Sequence, residues 1–159
     1  MIILATDSGL ERTGYALFKK KDNDFALINH GIILTKRSFS LEKRLMTIYE
    51  KFESIIKNYK PNLMVIEKIF FNINQKTIIS IAQAQGALLV LAAKYNIDVE
   101  FLTPLVIKQT VTGYGRADKL QVRKMVKLLL PEANLPKSDD VIDAIACGIA
   151  YCSIKKYDR

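Results

Sequence analysis

Four acidic residues stand where an ordinary globular core has little use for them. Asp7 closes the apolar run MIILAT and Glu67 closes LMVI, so each carboxylate falls at the end of a short buried strand. If those strands are parallel neighbours, the two carboxylates face one another. Asp140 and Asp143 are three residues apart at the start of DVIDAIACGIAYCSI, on one face of a helix and near the positive end of its dipole. Four carboxylates cannot share a small site in ionised form without cations, because each raises the pKa of the next. Oxygen-only donors favour magnesium, with manganese as a substitute, and two such ions about 4 Å apart can activate a water and stabilise the leaving oxygen of a phosphodiester. That chemistry requires no nucleophilic side chain. Taken singly, Asp7 also suits a turn before Ser8 and Gly9, Glu67 a lysine pair, and Asp140 a helix start. Asp143 is embedded in VIDAIACGIA, where a lone buried aspartate would be costly, and the constellation carries more weight than any member.

The elements that must position these acids are legible from periodicity. MIILAT and YALFKK read as strands joined through the turn residues SGLERTG, and FALINHGIIL as a third strand. Leu41, Leu45, Ile48, Phe52, Ile55, Ile56 and Tyr59 recur at helical spacing up to Pro61. LMVIE is then a buried strand, TIISIAQAQGALLVLAAKY a second helix, and IDVEFLT a fifth strand, with Pro104 opening a short helix. Val122, Met125, Val126 and Leu129 give Gln121 to Leu130 an apolar face, and Ser138 or Asp139 caps the last helix. Three antiparallel strands followed by βαβ crossovers predict an α/β fold, a mixed five-stranded sheet flanked by helices.

The chain of 159 residues suits one domain spanning 1–159. Lys and Arg number 24 against 16 Asp and Glu, a formal net charge of +8, so a polyanionic partner gains from counterion release on binding. Lys119, Arg123 and Lys127 form a basic stripe, and Tyr114, Gly115 and Arg116 a glycine-flanked basic loop suited to a backbone phosphate. No stretch reads as a membrane span and no leader is evident, so a cytoplasmic location and no membrane partner are expected. Cys147 and Cys152 lack metal or redox spacing and read as core thiols, while His30 reads as a strand residue. The second helix carries Ile78, Ile79, Ile81, Leu88 and Leu89, more apolar surface than one core face needs, and is the expected face of a homodimer.

The blocks ATDSGLERTGYAL, VIEKIFFNIN, AQAQGALLVLAA, IKQTVTGYGRADKLQV and SDDVIDAIACGIAYC, in this order, closely resemble the RuvC family of Holliday-junction resolvases. The resemblance runs nearly end to end and implies an RNase H-like fold in which Asp7, Glu67, Asp140 and Asp143 form the metal-binding tetrad. It makes Lys108 and Lys119 cations near the scissile phosphate, able to balance charge developing on the phosphorane. It makes Phe70 an aromatic that stacks on unpaired bases, whereas Phe71 is expected to cap the core. Two departures stand out: the family usually has proline where this chain has Ser8, and often glutamine where it has Lys68.

The activity so implied is structure-selective nicking of two opposed strands of a four-way DNA junction by a symmetric dimer, giving 5′-phosphate ends. Two-fold substrate symmetry calls for two-fold enzyme symmetry. The resemblance also implies cooperation with the RuvA and RuvB branch-migration proteins. Other readings of the acids alone are a different RNase H-like nuclease, such as one acting on RNA in hybrids, and a catalytically silent junction-binding module.

Overall fold

The structure, a computed structural model, describes residues 1–69, 75–131 and 133–154, apart from the side chain of Lys76. Its strands are β1 (Ile2–Asp7), β2 (Arg12–Lys21), β3 (Asp24–Leu34), β4 (Leu63–Glu67) and β5 (Asp98–Leu102). Its helices are α1 (Leu41–Tyr59), α2 (Gln75–Lys94), α3 (Pro104–Thr112), α4 (Lys119–Leu129) and α5 (Asp139–Ile154). The sheet order is β3-β2-β1-β4-β5, with β1 antiparallel to β2, β2 antiparallel to β3, and β4 parallel to both β1 and β5. The expected mixed sheet is present, and the two acid-bearing strands are parallel neighbours.

Period-two alternation sorts the side chains into two cores. Ile3, Ala5, Leu63 and Val65 pack with Ile107 of α3, Val122 and Val126 of α4, and the apolar length of α5. Leu4, Met64 and Ile66 face the opposite way, onto Ile48 and Phe52 of α1 and Leu88 and Leu91 of α2. Continuing the same alternation, Asp7 and Glu67 fall on the α5 side of the sheet, one residue beyond the last paired positions Thr6 and Ile66. Register therefore decides where the carboxylates point. A slip of one residue would turn both toward α1 and α2.

Local chemistry then fixes the helices around that edge. Thr103 caps α3 by accepting from the Val106 amide, with Pro104 at the first helical position. Asp118 and Gln121 make a reciprocal capping box that starts α4 at Lys119. Gly14, opposite Asp7 in the register of β1 and β2, lets α5 descend onto the sheet: a Cβ there would stand 2.0 Å from the Asp140 carbonyl oxygen.

Two expectations about α2 change. Leu88 is fully buried in the core rather than available to a partner, whereas Ile79, Leu89 and Val90 are exposed. Thr77–Lys94 is also long and apolar enough by length and composition to cross a membrane, contrary to the reading that no stretch approaches this. The cause is that Ala84, Leu88, Leu91 and Ala92 cover the sheet while the outward face is apolar as well, so both faces raise the hydropathy.

Gly14→Ala should lower stability by about 1–3 kcal/mol or more, because the obstruction is backbone and cannot rotate away. Urea unfolding of the variant beside the parent checks this, and parent-like stability would mean that α5 does not approach β2 so closely.

Candidate active site

The four acids gather at one end of the sheet. Asp7 and Glu67 come from adjacent parallel strands, and Asp140 and Asp143 from the first turns of α5, which lies across them. Asp7 lies in the fields of Glu67, Asp143 and Asp140, and Glu67 in that of Asp143. A cavity of about 230 Å³ opens between Asp7, Glu67 and Asp143, with Ser8, Lys68 and Gln85 among its walls. Beneath the acids lies the buried Cys147, whose thiol pKa is raised by burial and then by the nearby Glu67 and Asp7.

Burial and like charge set the electrostatics. Desolvation first, then the fields of Glu67, Asp143 and Asp140, push the Asp7 carboxyl up to about 8 against the opposing pull of Lys119. Burial, followed by Asp143, raises Glu67 to about 7, with Lys108 and Lys119 acting in the other direction. Asp143 is raised chiefly by burial and lowered in part by Lys119, whose ammonium stands 3.8 Å from it. The outer acids have partners instead. Asp140 accepts from Arg12 Nε at 2.8 Å and from the Ser138 hydroxyl at 3.1 Å. The carboxylate of Asp139, which the family pattern leaves outside the tetrad, accepts from Arg123 at 2.9 Å, and that bond holds its pKa below the usual range.

These residues fit hard divalent cations by chemistry. Every donor is a carboxylate oxygen, and a cation would compete most with protons at Asp7 and Glu67, whose pKa values are raised to about 8 and about 7. Among the described residues, no three acidic, histidine or cysteine side chains yet converge on one point. Asp140 is turned to Arg12, whose Nε stands 2.8 Å away, and Asp143 lies 3.8 Å from the Lys119 ammonium.

The remaining sequence-derived positions divide. Lys108 and Lys119 line a second cavity, of about 190 Å³, together with Glu67 and Asp143. Tyr114 and Arg116 are exposed in the α3–α4 loop, which Gln109 ties down by donating to the Gly113 carbonyl and accepting from the Gly115 amide. Lys127 is exposed. Arg123, expected to share the outward stripe, directs its guanidinium inward to the carbonyls of Pro136 and Lys137 and to Asp139, bracing the start of α5. Phe70 and Phe71 lie outside the described residues. His30 lies in β3, its Nε2 at 3.2 Å from the Asn134 carbonyl. Ser8 is buried, its hydroxyl 3.5 Å from that of Thr6, and exposed Lys68 reaches the rim of the central cavity.

Sequence reasoning missed Arg12 and Gln85. Arg12 is the counter-ion of Asp140, 128 positions away, and its only signal was a cation in the turn that follows Asp7. Gln85 is buried and donates to the Glu67 carbonyl at 2.8 Å, tying α2 to the end of β4. A glutamine pair inside the apolar AQAQG could have flagged it.

A five-stranded mixed sheet with acids at the ends of neighbouring strands and at the start of a crossing helix defines an RNase H-like protein of the nuclease type. The fold matches Thermus thermophilus RuvC in complex with Holliday junction substrate at a TM-score of 0.88, with 22% identity over 98% of this chain and 97% of that one. Within that class, the chain belongs to the RuvC family: the model described as crossover junction endodeoxyribonuclease RuvC matches residues 3–151. Among relatives of that name, the protein of Dictyoglomus thermophilum is 42% identical over 95% of this chain and 96% of its own. That of Halothermothrix orenii is also 42% identical, over 100% of this chain and 96% of its own.

The raised carboxyl pKa values predict how metal-free stability varies with pH. Asp7 titrates near the ordinary aspartate value of 3.8 when unfolded and near 8 when folded, so between those limits the native state binds more protons. Stability from this group is complete below the unfolded value and is lost as pH rises toward 8. In chelator, Asp7→Asn should melt at a higher temperature than the parent at pH 8.5, and the gap should close at pH 5. Parallel melting curves across that range would contradict the raised pKa of Asp7.

Proposed function

We propose that the chain is a single nuclease domain that resolves four-way DNA junctions as a symmetric homodimer in the cytoplasm, nicking two opposed strands by phosphodiester hydrolysis with two magnesium ions, for which manganese substitutes. The observation that carries this is the placing of half-buried Asp7 and Glu67 side by side, faced by Asp143 and Asp140 and flanked by Lys108 and Lys119. When bound, the ions supply an activated water and stabilise the leaving oxygen.

The protein's own residues do the rest. Asp7 and Glu67, fixed by a parallel ladder and by the Gln85 bond to the Glu67 carbonyl, provide rigid donors that need little reorganisation. Asp140 and Asp143 close the tetrad from α5, and Arg123 holds the loop that sets where α5 begins. Lys108 and Lys119 balance charge on the reacting phosphate. Tyr114, Arg116 and Lys127 carry flanking backbone contacts, and Phe70 stacks on bases at the crossover. Arg123 acts on DNA chiefly through the loop it braces.

The dimer face is the outward side of α2, where Ile79, Gly86 and Val90 align at helical spacing and the two aliphatic chains are exposed. Membership of the family supports cooperation with RuvA and RuvB.

Asp7→Asn and Glu67→Gln should each reduce cleavage of a synthetic mobile junction in magnesium by more than about 100-fold while preserving binding in calcium. Near-parental nicking by either variant would overturn the metal assignment, and cleavage by the parent of an RNA–DNA hybrid but no junction would move the substrate. For the dimer, Val90→Glu should shift sedimentation from dimer to monomer with little change in melting temperature. Sedimentation as an unchanged dimer would place the interface elsewhere.

A further inference from the structure

The acids have two flanks, and the lysines occupy only one. On the other flank a groove of about 470 Å³ runs from Asp7 and Asp140 along the β1–β2 turn to Arg44 of α1, with Thr77 and Ser80 of α2 on its far wall. Its charges are accounted for almost completely. Asp140 is paired with Arg12, and Glu11 with Arg37 at 2.7 Å. Arg44 differs, since among the described residues no carboxylate pairs with it.

Arg44 is also held in place. Its Nε donates to the Thr35 hydroxyl at 2.9 Å, and that buried hydroxyl donates in turn to the Leu10 carbonyl at 2.6 Å. The Thr35 amide donates to the Glu11 carbonyl at 3.0 Å, so the turn that follows Asp7 and the guanidinium are braced by one residue. A half-buried arginine anchored through Nε, with its terminal nitrogens unpaired with any carboxylate among the described residues, is pre-organised for an anionic oxygen and loses little side-chain entropy on binding one.

We propose that this groove seats the phosphodiester backbone of the DNA strand on the Asp7 side of the acids, with Arg44 as its fixed phosphate contact. The strand then lies across the catalytic centre with cations on both sides: Lys108 and Lys119 beyond Glu67 and Asp143, Arg44 beyond Asp7. Thr77 and Ser80 offer hydroxyls from the opposite wall. This assignment rests on the reading of the chain as a DNA nuclease and adds the path that its strand takes.

The test is a salt series of junction binding in calcium. Arg44→Gln should flatten the log-log dependence of affinity on salt by about 0.9, the value for one lost phosphate contact. Lys43→Ala removes the same charge one residue away, outside the groove, and should leave the slope close to the parent's. Arg44→Lys should restore most of it. On the folded parent, modification of Arg44 by phenylglyoxal, mapped by mass spectrometry, should be suppressed by junction DNA, a readout that does not depend on the stability of any variant. Equal modification with and without DNA, or an Arg44→Gln slope matching that of Lys43→Ala, would overturn the groove assignment alone. Failure of the parent to bind any junction would overturn the nuclease reading and this inference with it.

Discussion

Two half-buried carboxyl groups side by side at the ends of parallel strands constrain everything around them. Asp7 and Glu67 reach about 8 and 7 because the sheet and α5 take them out of water and then add further acids nearby. Such a centre is stable only if its charge is met by protons, by protein cations or by metal. The raised pKa values of the inner pair favour the first, and Arg12 and Lys119 are set against the acids of α5. The same positions that make the like charges costly would suit a small, highly charged ion.

The fold exists, in this sense, to hold that arrangement against its own repulsion. The ladder of β1 and β4 fixes which face the inner acids occupy, and Gly14 lets α5 lie close enough to add Asp140 and Asp143. The polar bonds at the periphery act on position rather than on chemistry. Gln85 holds the end of β4, Arg123 the entry to α5, and Thr35 the turn behind Asp7. Each lies away from the reacting atoms, and each secures a segment from which a carboxylate projects.

Much of this was legible in the sequence because it rests on short-range pattern. An acid at the end of an apolar run of four to six residues marks a strand terminus, and Asp143 inside VIDAIACGIA marks a charge that the core would not otherwise accept. What pattern cannot carry is pairing across the chain. Arg12 with Asp140, Gln85 with the Glu67 carbonyl and Arg44 with Thr35 join segments whose proximity is set only by the tertiary fold. Arg123 shows the converse. Helical spacing placed it in a basic stripe with Lys119 and Lys127, but a loop that comes later in the chain offers carbonyls to its guanidinium and draws it inward. Helix α2 reads as apolar on both faces because its inner side covers the sheet while its outward side carries exposed Ile79 and Val90, and composition alone cannot separate that from a membrane span.

Proton release on metal binding tests the central claim most directly. Manganese titrated calorimetrically into the metal-free protein at pH 6.5, in buffers of different ionisation enthalpy, reports both saturation and protons displaced. If Asp7 and Glu67 hold protons that the ion must expel, binding should be saturable and should release protons, the release should shrink by pH 9, and Asp7→Asn should lose most of the affinity. Saturable binding with no proton exchange, equal in the parent and in Asp7→Asn, would contradict the account.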